Sequence, residues 1–128
     1  MITSNPRYEA IFDPVNIDND CDRIADMISD EGERIKEVLD AGMYTQAVTM
    51  YLQLLKSMTV HFIKDEHWCF FDDMYSPEYS LQWIYQQIAK HDLDDAAKKL
   101  LAEGHEEIKQ CECYQEYGLP MYIHREGR

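Results

Sequence analysis

The chain reads as an all-α fold, a single-domain helical bundle of four main helices with an extended N-terminal arm, and three observations predict it. Residues 41–64, AGMYTQAVTMYLQLLKSMTVHFIK, hold no acidic side chain, although the chain carries 25 acids and a formal charge of −13. Their apolar residues fall on more than one helical face, the pattern of a helix enclosed by other helices. Upstream, Ile24, Ile28, Ile35 and Leu39 recur at helical spacing and form one apolar stripe. Downstream, Ser76-Pro77-Glu78 and Tyr117-Gly118-Leu119-Pro120 punctuate a helix start and a helix stop.

Each element follows from its residues. Residues 1–17 lack a period and contain Pro6 and Pro14, so they read as an extended arm pinned by Tyr8, Ile11 and Phe12. The first main helix spans 18–41. Asp18 supplies an N-cap acceptor, neighbouring acids suit the positive helix end, and Gly42 stops it. The enclosed helix runs 43–65. The third, 77–91, has Ser76 as cap, Pro77 in its first turn and Tyr79, Trp83, Ile84 and Ile88 on its inner face. The fourth, 93–117, opens at Asp92 with Asp95 three residues on, and buries Leu93, Ala97, Leu100, Leu101, Ile108 and Cys111. Residues 118–128 form a short tail.

At 128 residues the chain suits one domain that buries roughly two-thirds of its unfolded surface. A composition 45% hydrophobic and 12% aromatic argues against disorder. Charge is spread unevenly. Residues 1–40 carry eleven acids and four bases, whereas 65–89 carry five acids and no base. Such a field repels nucleic-acid phosphates and anionic membranes and attracts basic proteins. The start, MITSNPRYEAIFDP, lacks the basic region and apolar run of a signal peptide. Gln46, Gln53, Lys56 and His61 interrupt the apolar segment too often for a membrane span. Cys21, Cys69, Cys111 and Cys113 make no dense disulfide framework. The expectation is a soluble, cytoplasmic protein with reduced thiols.

Gly42, Tyr44, Ala47 and Tyr51 place a glycine, an aromatic at plus two, an alanine at plus five and an aromatic at plus nine. This resembles the start of the second helix in tetratricopeptide repeats. The small residue lets helices approach closely while the aromatics fill the groove beside it, so the resemblance implies a packed helical hairpin. It covers about ten residues, and no 34-residue period recurs. The preceding helix departs from the family pattern, with Glu31, Arg34, Ile35 and Val38 where a large apolar, a small and a tyrosine residue belong.

The join HFIKDEHWCFFDDMYSPEY concentrates aromatic and ionisable groups. It reads as a structured loop whose rings close the end of the core while its acids face water. Exposed aromatics beside charge are also the usual anchors of interfaces. The residues expected to contact a protein partner are therefore His67, Trp68, Phe70, Phe71, Asp72, Asp73, Tyr75 and Tyr79. A metal site is the third reading, because His61 and Asp65 share a helix face and Cys69, Cys111 and Cys113 lie within the chain's reach. Yet Cys-x-Cys on a helix points its sulfurs about 200° apart. Zinc ligands pair at wider spacing, and no Glu-x-x-His tetrad of a di-iron bundle occurs. Neither a metal nor a cofactor is expected.

Other chemistry is not signalled. The five glycines are scattered, and neither a Gly-x-Ser-x-Gly elbow nor a His-Glu-x-x-His helix is present. The acids of the first helix lack the glycine and terminal glutamate of an EF-hand loop. His105, beside Glu106 and Glu107, reads as part of a solvated charged face rather than an acid–base pair. The expected function is a small acidic protein-interaction module, an adaptor or accessory protein without catalysis of its own. Its partner is a basic protein or a second copy of itself, with no direct contact to nucleic acid or membrane. The alternative is an acidic neutralising protein of the immunity or antitoxin kind, or a nucleic-acid mimic. A metal-dependent enzyme is a distant third.

Overall fold

The computed structural model describes residues 2–11, 21–65 and 81–110. They form five helices: α1 (Pro6–Ile11), α2 (Cys21–Asp40), α3 (Tyr44–Asp65), α4 (Leu81–Lys90) and α5 (Asp95–Lys109). No strand occurs among the described residues. The fold is all-α, as the periodicity predicts. The expected helix starts at Asp18 and Ser76, the segment 66–80 and everything from Cys111 onward lie outside the described residues.

The N-terminal stretch corrects one expectation. Residues 6–11 are helical rather than extended. Asn5 accepts the Arg7 N–H on its side chain at 3.0 Å, and its carbonyl accepts from Tyr8 and Glu9. Pro6 then stands at the first helical position, where its missing N–H costs nothing. An Asn-Pro pair is thus a helix start here, not a breaker. Tyr8 and Ile11 do pin the segment, both fully buried.

The α2–α3 connection is closed by local chemistry. Gly42 adopts φ +83°, its N–H donates to the Leu39 carbonyl, and the Met43 N–H reaches back to Val38. These two bonds satisfy carbonyls that the ending helix leaves open, and the left-handed backbone between them favours glycine.

Helix α3 is the centre of the bundle and packs against each of the other four helices. Ala47, Val48, Tyr51, Leu52, Leu54, Leu55 and Met58 are all buried on it. That arc is too wide for one amphipathic stripe, which explains why no acid is tolerated there. Helix α2 also touches α1 and α4, and buries Ile28, Ile35 and Leu39 along the predicted stripe. From α4, Ile84 and Ile88 reach the same core.

Helix α5 begins two residues later than Asp92 and Asp95 suggested. Its N-cap is Asp94, whose side chain accepts the Ala97 N–H at 2.8 Å. Leu93 is buried just before the cap, so the chain spends that residue anchoring the loop instead of starting the helix. Gly104 then sits buried in mid-helix. A Cβ there would lie 2.6 Å from Leu52 Cδ2 and 2.9 Å from its Cγ. The missing side chain is what lets α5 lie this close to α3.

Candidate functional site

The residues expected to contact a partner (His67, Trp68, Phe70, Phe71, Asp72, Asp73, Tyr75 and Tyr79) lie outside the described residues, as do Cys69, Cys111 and Cys113. Within the described part, three places gather polar groups: the outer face of α2, the α1–α2 contact and the α3–α5 junction.

On α2, six residues from Asp26 to Asp40 are exposed: Asp26, Asp30, Glu33, Arg34, Glu37 and Asp40. The five acids follow spacings of four, three, four and three, so they stand in one row along the helix. At a rise of 1.5 Å per residue the row is about 21 Å long. Lys36 pairs with Asp40 at its end, at 2.6 Å, and His91 Nε2 lies 3.4 Å from the same carboxylate. The Lys36 hydrogen bond holds the Asp40 carboxyl below the usual carboxylate range. Arg34 leans to the side of the row, 3.7 Å from Glu31.

Glu31 itself is buried. Its Oε1 accepts from Arg7 Nε, while Oε2 has no hydrogen-bond partner among the described residues. That bond raises the guanidinium pKa further, and burial followed by the Glu31 charge raises that of Tyr8. A carboxylate in this position ties α1 to α2 through charge.

The α3–α5 junction differs from expectation most. His105 is not part of a solvated face. Its Nε2 lies 3.0 Å from Tyr51 Oη, and its ring meets Tyr51 and Tyr85 edge-on at centroid distances of 5.6 and 5.2 Å. Tyr51 and Tyr85 stack on each other at 6.0 Å. The three rings join α3, α4 and α5. Burial, with a smaller contribution from the Lys109 charge, lowers the His105 pKa to about 4. At neutral pH it is an uncharged ring, and so weak a base contributes little to proton transfer near pH 7.

Glu107, two residues on and on another side of the helix, also reaches a neighbouring element. Both carboxylate oxygens accept the Ile2 N–H, at 2.9 and 3.1 Å, and Oε2 accepts from Lys56 Nζ at 2.8 Å. Burial alone would raise its pKa. The Lys56 and Ile2 hydrogen bonds outweigh that and leave it lowered. Lys56 Nζ further donates to the Ile2 carbonyl at 3.3 Å. A cavity of about 140 Å³ lies beside this clamp, lined by Ile2, Thr3, Leu52, Leu100 and Gly104 among others. Sequence reasoning missed this site. Its one local signal is a glycine inside a helical period, which marks a close approach of another element.

Among the described residues no group of three or more His, Cys, Asp or Glu side chains could hold a metal ion, and no helix is long and apolar enough to cross a membrane. The tetratricopeptide-like quartet takes three roles. Gly42 makes the turn, Ala47 and Tyr51 are buried, and Tyr44 meets the His91 ring edge-on at 6.1 Å. Compared with protein-family models, with curated proteins and with solved structures, the chain matches none.

Proposed function

We propose that the protein is a small acidic protein-interaction module, an adaptor or accessory protein that acts by binding a basic partner. One observation carries this reading: five of the six exposed residues between Asp26 and Asp40 are acidic and stand in a single row. The apolar stripe of α2 is spent on the core, so its outer face is free to meet another surface. A row of like charges speeds encounter with an opposite field and selects against acidic partners. The aromatic segment 67–79 adds the kind of side chain that anchors such a contact.

The test is a matched pair of full-length variants. One carries Asp26→Asn, Asp30→Asn, Glu33→Gln and Glu37→Gln; the other carries Asp92→Asn, Asp95→Asn, Glu103→Gln and Glu106→Gln on and before α5. Both lose four charges. Binding to a labelled lysine-rich peptide, followed by anisotropy at rising salt, is expected to weaken at least tenfold for the α2 variant and much less for the control. Equal weakening would mean that net charge alone is read, and the proposal would fail.

The continuity of the row also favours the neutralising reading, in which the carboxylates stand in for a phosphate backbone. A captured partner that releases the protein on addition of duplex DNA assigns that role. A partner indifferent to DNA assigns the adaptor role.

A further inference from the structure

We propose that the groove between α3 and α5 is a receptor for an extended peptide segment of a partner protein, and that residues 2–5 of the chain occupy it in cis. The occupant shows what the groove recognises. Residues 2–5 are not helical, and the backbone of Ile2 is held by side chains far away in sequence. Glu107 takes the Ile2 N–H with both oxygens and Lys56 donates to the Ile2 carbonyl, so one ion pair reads both main-chain groups of a single residue. Gln53 reads the next positions with its amide. Its Nε2 donates to Thr3 Oγ1 at 3.1 Å, and its Oε1 accepts from Asn5 Nδ2 at 3.1 Å. The Ile2 contacts are to main-chain groups, which accept many sequences as recognition of extended peptides requires, while the Gln53 contacts select side chains.

The occupant is also too small for its groove. Besides the cavity toward α5, a second of about 120 Å³ opens on the other side, lined by Thr3, Ser4, Glu9, Gln53, Lys56 and Ser57 among others. Both are clefts partly open to solvent, and a cavity of about 150 Å³ accepts a benzene ring, so each has room for a larger side chain. Both cavities are lined mainly by apolar surface. Side chains of an extended segment alternate in direction. The fitting partner segment therefore carries large apolar residues at two adjacent positions, where this chain has Thr3 and Ser4. The proposal does not depend on the α2 row.

The probe is a peptide of the chain's own residues 2–7 with leucine in place of Thr3, acetylated and labelled at its C-terminus. It is titrated into full-length protein. In the wild type it competes with a tethered segment whose effective concentration is on the order of millimolar. Ile2→Pro removes the N–H that Glu107 holds, loosens the cis segment, and is expected to tighten probe binding at least tenfold. Adding Glu107→Gln to that variant should reverse the gain. Independently, Thr3→Leu in the intact chain should fill the cavity and raise the melting temperature by roughly 2–5 °C. The α2-neutralised variant should bind the probe as the wild type does, which separates failure here from failure of the basic-partner reading. No saturable binding of the probe to Ile2→Pro up to about 1 mM, with an unchanged or lower melting temperature for Thr3→Leu, overturns the proposal. So does concentration-dependent dimerisation of Ile2→Pro by light scattering, which would make the arm of a second copy the occupant.

Discussion

Helices α2 and α5 both pack on the central helix α3, and both are amphipathic, yet they use their polar residues in opposite ways. On α2 the polar residues are mostly exposed and of one sign, with Glu31 the buried exception. On α5 the exposed face mixes acids with Lys98 and Lys99, while His105 and Glu107 turn toward other elements and make specific bonds. Equal periodicity therefore conceals unequal roles. The α2 surface produces a field, whereas the α5 surface makes junctions. The first is tuned by how many charges there are, the second by where single atoms lie.

The comparison is broken most forcefully at the apolar faces, where the two helices should behave alike. Ile35→Ala on α2 and Ile108→Ala on α5 each remove a fully buried side chain. Each should cost about 2–5 kcal/mol in urea unfolding. A cost under about 1 kcal/mol at only one of them would show that this helix is merely laid on the bundle.

Acid is the next lever, and it acts on α5. His105 has a folded-state pKa near 4, below its ordinary value of 6.5. The unfolded chain therefore binds the proton more readily. The stability that His105 contributes is present above pH 6.5 and is lost as pH falls toward 4. The loss should be on the order of 2–3 kcal/mol. It is measured as the difference in pH dependence between wild type and His105→Phe, which keeps an aromatic ring but cannot titrate. Identical pH profiles between pH 7 and 4 would remove His105 from the buried junction.

Gly104 sharpens the contrast further. In an exposed helix interior, glycine to alanine stabilises by about 1 kcal/mol. Here the new methyl meets Leu52, and Gly104→Ala should instead destabilise by about 1–3 kcal/mol. Gly104→Ala combined with Leu52→Ala should show a coupling between the two sites, since each relieves the other's misfit. Additive costs would mean that α5 does not depend on that close approach.

The smallest stability effect is expected from the exposed acids of α2. Glu33→Gln and Glu37→Gln should change unfolding free energy by no more than about 0.5 kcal/mol each, while they weaken association with a basic peptide and flatten its salt dependence. A large stability change would place these carboxylates in the fold's own contacts rather than in an outward field.

The bundle was legible in the sequence because its signals are local or periodic. The acid-free stretch announced α3, since a helix covered on several faces cannot keep an ionised carboxylate without a partner. The Ile28-Ile35-Leu39 stripe announced the inner face of α2 through the 3.6-residue period, and Gly42 announced the turn through its φ. Where residues 6–11 and the start of α5 departed from expectation, the rival signals were also local: Asn5 before Pro6, and Asp94 three residues before Ala97. Tertiary structure alone decided the rest. Whether His105 faces water or Tyr51 depends on how α5 is rotated against α3, and that rotation follows from the fit of Leu52 into the space above Gly104. Glu107 meets Ile2 across 105 residues of chain. No period or cap encodes such a pairing, because its energy exists only once the intervening helices have packed.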